Sequence, residues 1–560
     1  MDLQRTLLIG AIAVVGVLTL QQWNEDYTQT RPASEAVVAN VSTAQSGSDV
    51  PTITSSSSAP QILDSSVQPT AQLINVHTDT LNVQIDPAGG DIIGLSLPEY
   101  PAFLPEKGEK SIPFQMMVNK PDCNIADQTC VYTAQSALVA TDGPDSKNQR
   151  GLYSTAQTSY KLNEGRNELV VDLTRVAGDI HLTKRYTFER GVYDFHVEYQ
   201  IENRGQQVWK DQFYAQLKRD GSEDPSSRSS NAPTSTYLGA AVRSKDELYE
   251  KLPFDDFASS PFKESVTGGY AAMLQHYFVS AWVPDQSRPH TYYSNVSGDN
   301  SSFIVGFYDN ALVVQPGETV TTGATLYAGP KKQEQLEELA DGLQLTMDFG
   351  ILWFIAQPLF ALLKFIHSIV GNWGWAIILL TVCVKAVFYP LNQTSFRSMA
   401  KMRKLGPKMQ EMKEKHGDDR QKMSQAMMEM YKKEKVNPMG GCLPILVQMP
   451  VFIALYWTLQ EAVDLRQAPW LGWIHDLSQM DPYFILPLIM GASMFLQQML
   501  NPTPPDPMQA KVMKMMPLIF TVFFLWFPAG LVLYWVTNNV LSIIQQYIIT
   551  KKIEAEDTKV

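Results

Sequence analysis

Residues 373–391 read WGWAIILLTVCVKAVFYPL, nineteen positions in which Lys385 is the one side chain charged at neutral pH. At 1.5 Å of rise per residue such a run is long enough to cross the ~30 Å hydrocarbon layer of a bilayer. Similar runs recur downstream. Residues 442–461 are uncharged up to Glu461, 482–500 carry no charge, and nothing ionises between Lys514 and Lys551. That last stretch is too long for one helix and holds Pro528-Ala529-Gly530 near its middle, so it reads as two short spans, about 515–528 and 531–549. Upstream, Leu7–Leu20 is almost wholly aliphatic and runs into Gln21, Gln22 and Trp23 without a small-residue cleavage pair, which reads as an uncleaved anchor over 1–24. The expected total is six spans.

Charge orients them. Residues 346–560 hold 20 Lys and Arg against 15 Asp and Glu, whereas 1–345 hold 25 against 42. A basic, apolar rear behind an acidic front argues against a DNA-binding protein built on one basic surface. Between Phe396 and Val436 twelve Lys and Arg face six acids, and Lys and Arg concentrate in short cytoplasmic loops. Segment 396–436 and the tail 551–560 are therefore expected in the cytoplasm with both termini, and the acidic front half outside. Segment 346–371 is also apolar, but Gln357, Pro358, Lys364 and His367 interrupt it and a seventh span would invert every later loop. It is read as an amphipathic helix in the outer interface.

Residues 25–70 are rich in Ser, Thr, Ala and Pro, a composition too poor in large apolar groups to offset the entropy of ordering, and read as a linker. Over 71–345 the pattern changes to alternating strands, such as His181–Phe188 and Tyr193–Tyr199, separated by Gly and Asn turns. One large antiparallel β-sandwich is expected, ending in a short charged helix before the membrane. Cys123 and Cys130 fall within it and could pair in an oxidising compartment, whereas Cys383 and Cys442 read as small apolar fillers. Its histidines 181, 196, 276 and 290 read as ordinary strand residues rather than a carbohydrate-active centre. HExxH, GxSxG and GxxxxGK[ST] are absent from the sequence, which removes motif support for zinc, serine-hydrolase and P-loop chemistry; no metal or cofactor is implied.

Two features point to function. A lysine at bilayer depth costs about 2.5–3.5 kcal/mol on insertion scales. Snorkelling to the headgroups is the simple remedy. The functional remedy is a water-filled indentation, and Thr381 one turn before Lys385, together with Gln448, Asn538, Ser542 and Gln545 on other spans, could line it. The second feature is the loop 396–436, where Met402, Met409 and Met412, then Met423, Met427 and Met430, recur at helical spacing around a break at His416-Gly417. The stripes either pack on each other in a helical hairpin or offer an adaptable surface to varied apolar segments. A small-solute transporter or channel is the competing reading, but it predicts internal repeats and paired intramembrane charges that the sequence lacks.

The strings YPL (389–391), SMAKM (398–402), NPMGGC (437–442), QMP (448–450), LRQAP (465–469), WIHDL (473–477) and FLWFPAGL (524–531) occur in one order through the rear half. In these the chain resembles the YidC family of membrane protein insertases, in the long form of Gram-negative bacteria. The resemblance implies an inner-membrane insertase and chaperone, not an enzyme, with an N-terminal anchor, a periplasmic β-supersandwich and a five-helix core over 372–550. It implies a cationic groove that receives the hydrophilic end of a nascent membrane protein while the apolar segment leaves along the surface, without nucleotide hydrolysis. The expected partners are nascent membrane proteins, lipid and the Sec translocon, with the ribosome and the signal recognition particle pathway as further candidates. Lys385 stands where the family usually has Arg, which keeps the charge and loses the planar donor fork. Trp535 stands at a position often held by Tyr and is expected beside the groove. Phe452, Met490 and Phe523 are expected to form the apolar slide.

Overall fold

The computed structural model describes residues 72–105, 108–120, 123–125, 128–139, 150–226, 236–298, 301–416, 420–434, 443–501 and 507–557. The anchor expected over 1–24, the linker 25–70 and Cys442 lie outside the described residues. The described residues divide between Met347 and Asp348 into two units.

The first unit is a β-sandwich. Period-two burial runs along its strands: Ile180–Glu189 and Asp194–Asn203 alternate buried and less buried positions, as a sheet with one covered face requires. The two strands pair antiparallel, with Tyr199 opposite Lys184. Among the described residues, twenty-one strands from Ile74 to Pro330 form a ten-stranded and a nine-stranded sheet plus a small two-stranded ribbon. Aromatic side chains fill the interior, with Tyr186, Tyr199, Trp282 and Tyr327 fully buried. One pairing departs from the antiparallel expectation: strand Ile74–His77 runs parallel to Ser159–Lys161 at a sheet edge. Cys123 and Cys130 are joined, with Cα atoms 5.7 Å apart. Three of the four histidines are engaged one by one: His196 Nδ1 meets the Thr325 hydroxyl at 3.2 Å, His276 stacks on Tyr277, and His290 bridges Asp309 and the Asp285 carbonyl at 2.5 and 2.7 Å. The short closing helix is Gln333–Leu339, followed by a 3₁₀ turn at Leu343–Thr346.

The second unit is helical: α1 (Trp353–Val370), α2 (Trp373–Val387), α3 (Tyr389–Lys404), α4 (Gly406–His416), α5 (Arg420–Lys433), α6 (Leu443–Glu461), α7 (Ile485–Leu500), α8 (Pro507–Phe523) and α9 (Ala529–Asp557). The α1/α2 junction is a stop followed by a start. Gly371 takes the left-handed conformation (φ 67°) that caps α1, and the Asn372 side chain accepts from the Trp375 amide to cap α2.

Several expected boundaries are corrected. The span expected over 373–391 is not one straight helix: α2 ends at Val387, and α3 leaves at a 69° bend. Pro390 is the cause, because it lacks an amide to continue the ladder and disfavours helical geometry at the residue before it. The two short final helices are also revised. The penultimate helix already starts at Pro507, and α9 runs 29 residues, about 43 Å at 1.5 Å each, well beyond a bilayer core. Helices α2, α7 and α8 have 15, 16 and 17 residues, or about 22, 24 and 25 Å. Among the described residues, Gly350–Val370 is long and apolar enough to cross a membrane, and the bent pair α2–α3 passes as a second if counted as one span. Cys383 is exposed on α2 and is no core filler; in a bilayer the outer face of a helix can be as apolar as its inner face, so composition does not separate them.

Candidate functional site

The helical unit is organised around α9, which packs on α2, α3, α6 and α7. Its polar residues fall into two stripes. Asn539 and Gln546 face α7, where Asn539 Nδ2 donates to Ser493 Oγ at 3.0 Å and Gln546 Nε2 to the Leu500 carbonyl and Asn501 Oδ1 at 3.1 Å each. Asn538 and Ser542, one turn apart, belong to the other stripe and meet the lysine.

Lys385 does not snorkel. Its side chain is 4% exposed, and Nζ donates to Ser542 Oγ at 2.7 Å and to Gln448 Oε1 at 3.5 Å. Gln448 Nε2 donates in turn to Asn538 Oδ1 at 2.6 Å, and the Ser542 hydroxyl donates to the Asn538 carbonyl at 2.7 Å. One cation thus ties α2, α6 and α9 together through neutral acceptors. Charge-assisted bonds are the stronger kind, and here they offset part of the desolvation of the ammonium. Beside Lys385 lies a recess of about 400 Å³ lined by Val382, Lys385, Ala386, Tyr389, Leu541 and Gln545. It is a mostly apolar hollow with a cation, a phenol and a carboxamide at its walls.

The remaining expected site residues are distributed differently. Thr381 is buried and its hydroxyl donates to the Ile377 carbonyl of its own helix; it does not line the recess. Trp535 packs edge-to-face on Phe452 with ring centres 4.4 Å apart and sits near Phe524; it belongs to an aromatic cluster, not to the recess wall. Of the three expected slide residues, Phe523 is 48% exposed, Phe452 is half-buried, and Met490 is 0% exposed. Met490 therefore offers no surface to a passing segment in this arrangement; an apolar helix position does not reveal whether protein or lipid covers it. Tyr389, which shares the recess with Lys385, was not among the expected site residues, although its place one turn after Lys385 was a usable signal.

The methionine segment forms two helices, α4 and α5, packed on one another. Lys408 Nζ meets Glu434 Oε1 at 2.7 Å, and the Tyr431 hydroxyl contacts Met409 Sδ at 3.3 Å. Met409, Met412, Met427 and Met430 are half-buried, as is Met402 on α3. The side chain of Met423 lies outside the described residues. The Met409–Tyr431 contact across the pair is what mutually packed stripes produce.

The loop between α6 and α7 closes the other end of the bundle. Asp481 accepts from the Trp473 indole at 2.9 Å and from the Tyr483 and Leu486 amides at 3.0 and 2.6 Å. The Ala529 and Gly530 amides, at the start of α9, donate to the Gln479 and Leu477 carbonyls at 2.7 and 2.8 Å.

Residues 365–556 match the family model described as 60Kd inner membrane protein, and residues 73–362 match the YidC periplasmic domain. The membrane protein insertase YidC of Pseudomonas paraeruginosa (strain DSM 24068 / PA7) is 53% identical over 99% of both chains. The chain belongs to the YidC family of membrane protein insertases. The YidC insertase of Pseudomonas entomophila (strain L48) is 51% identical over the full length of both chains. A crystal structure described as an active YidC insertase with the first transmembrane domain resolved covers 85% of this chain and 92% of its own, at 18% identity and a TM-score of 0.36. As a YidC-family member this is a membrane insertase of the inner membrane, not an enzyme, with the β-sandwich as its periplasmic domain.

Proposed function

We propose that insertion runs through the recess beside Lys385, where the hydrophilic end of a nascent chain is held while its apolar segment passes into lipid. The observation that carries this is the buried ammonium, held by Ser542 and Gln448 at the wall of a hollow of about 400 Å³. An acidic residue crossing lipid alone costs about 2.5–3.5 kcal/mol at the bilayer centre. A fixed cation at the wall of that hollow lowers the cost, and the short helices α2 and α7 thin the membrane around it.

In this reading the anchor, α2 with the first turn of α3, α6, α7, α8 and α9 are the six spans. Both termini and the α4–α5 hairpin lie in the cytoplasm, and α1 rests in the outer interface, where Trp353, Phe354, Phe365 and Ile369 give it an exposed apolar face. The distribution of Lys and Arg supports that orientation. Phe523, with the exposed Ile519 and Val522 on the same helix, serves the passing apolar segment. The protein acts on nascent membrane proteins as insertase and chaperone, alone or beside the Sec translocon. The basic hairpin meets lipid headgroups, ribosomal RNA or the signal recognition particle pathway.

Photocrosslinkers placed at Val382 and Leu541, which line the recess, test the route in the full-length protein with a stalled nascent chain. Adducts to the hydrophilic segment at both positions are expected. Adducts restricted to an outward position such as Leu518, with none at Leu541, would overturn the reading.

A further inference from the structure

Strands Asp91–Pro101 and Pro113–Asn119 of the sandwich pair antiparallel, and their joined ends set Pro101 opposite Pro113. Aromatic packing fixes that end. The Phe114 ring stacks on Phe278 with centres 4.3 Å apart, and Tyr100 lies against Phe278 and Tyr193 at 5.6 and 6.1 Å. One further bond, from the Ala102 amide to the Ile112 carbonyl at 2.7 Å, carries the hairpin past the two prolines. There the burial reverses within two residues: Phe114 is 2% exposed, whereas Ile112 is 66%, Phe103 55% and Leu104 44% exposed. Three large apolar side chains thus stand in water at the tip of a hairpin whose base is locked into the core. Scattered apolar residues on a surface need no explanation; a contiguous group is what marks an interaction site.

The tip is too small for a protein partner, because a stable interface takes ~800 Å² from each side, far more than three side chains supply. Strand addition does not suit it either, since Pro101 and Pro113 have no amide to donate to a further strand. A lipid surface requires neither area nor register, and lipid is at hand. The last strand ends at Pro330, and residues 331–347, seventeen in all, lead from it to the helical unit of this inner-membrane protein. Pro330 pairs with Phe278, whose ring packs on the hairpin base, so the tip and the last strand share one end of the sandwich. So short a covalent link keeps the bilayer at high effective concentration around the domain.

We propose that the hairpin tip at Phe103, Leu104 and Ile112 inserts into the periplasmic leaflet of the membrane and so holds the sandwich against the bilayer. The attraction is apolar. Residues 106–110 read EKGEK, two acids and two bases that cancel, so neither salt nor anionic lipid should alter it much.

The full-length protein, carrying benzoylphenylalanine at Ile112 or at Val176, is irradiated in liposomes of zwitterionic lipid or of mixed zwitterionic and anionic lipid, and the adducts are identified by mass spectrometry. Val176 is the control: it is 60% exposed, but it pairs with His181 at the end of its strand remote from Glu189 and Tyr193. Lipid adducts are expected at Ile112 and not at Val176, with either lipid and at low and high salt. Equal yields at the two positions would overturn the proposal, as would a protein adduct in place of lipid at Ile112. Dependence on anionic lipid or on salt would overturn the apolar origin. With the crosslinker moved to Phe103, the double variant Leu104→Ser, Ile112→Ser is expected to cut the lipid adduct roughly fivefold to thirtyfold, at about fivefold for each half-exposed apolar side chain withdrawn from lipid. An undiminished yield would also refute insertion. Both substitutions are on the surface, so the thermal unfolding midpoint is expected to hold. If it falls, the comparison of Ile112 with Val176 decides without them.

Discussion

Reversing the charge at Lys385 gives the sharpest test of how this insertase handles its substrates. Lys385 Nζ lies 2.7 Å from Ser542 Oγ and faces no carboxylate in the surrounding hydrogen bonds, so its charge is free to act on a visitor. A substrate carboxylate about 4 Å away gains ~1 kcal/mol if the recess behaves as bulk water and ~4 kcal/mol at an effective dielectric constant near 20. One acidic residue in the translocated tail should therefore lose a factor between about 5 and 1,000 in Lys385→Ala. Lys385→Glu turns attraction into repulsion of similar size and should be more severe, while Lys385→Arg keeps the charge and should retain most activity. Neutral tails should change about twofold or less, because no charge pair is removed. Complementation of an insertase-depleted strain, with protease protection of tails carrying zero, one or two acids, reads these effects directly. Equal insertion of the two-acid tail by the wild type and the Glu variant would refute the argument.

Two further outcomes follow from packing and burial. A Cβ on Gly491 of α7 would lie 2.0 Å from Thr521 Oγ1 on α8, so Gly491→Ala should destabilise the pair by about 1–3 kcal/mol, with Thr521→Ala recovering much of it in a double-mutant cycle read by thermal unfolding in detergent. In the β-sandwich, burial pushes the Asp194 carboxyl above its ordinary value. A raised carboxyl favours the fold below the unfolded value and loses that advantage as pH rises through the folded one. Asp194→Asn should therefore raise the unfolding midpoint of the intact protein at neutral pH, with the gain fading in acid; an equal gain at both would contradict it.

Much of the fold was legible because its signals are local. Alternation along His181–Phe188 and Tyr193–Tyr199 marked strands that appear as Ile180–Glu189 and Asp194–Asn203. Apolar runs marked most of the helices that the structure describes in the rear half. The misjudged boundaries were those set by geometry between residues: Pro390 bends a run that composition shows as continuous, and helix α9 continues past the apolar stretch to Asp557.

The sequence by itself determined that a lone cation sits in an apolar run, that amides and hydroxyls recur at helical spacing on other segments, and that the chain has the motifs of a membrane insertase. Those are properties of order and composition. Only the tertiary structure decided that Lys385 turns inward onto Ser542 and Gln448, that Thr381 is engaged by its own helix, and that Met490 is covered. The physical reason is that helical periodicity shows which side chains share a face, whereas the partner of that face comes from segments tens to hundreds of residues away. Within a membrane, where protein and lipid are equally apolar, hydrophobicity does not tell those partners apart.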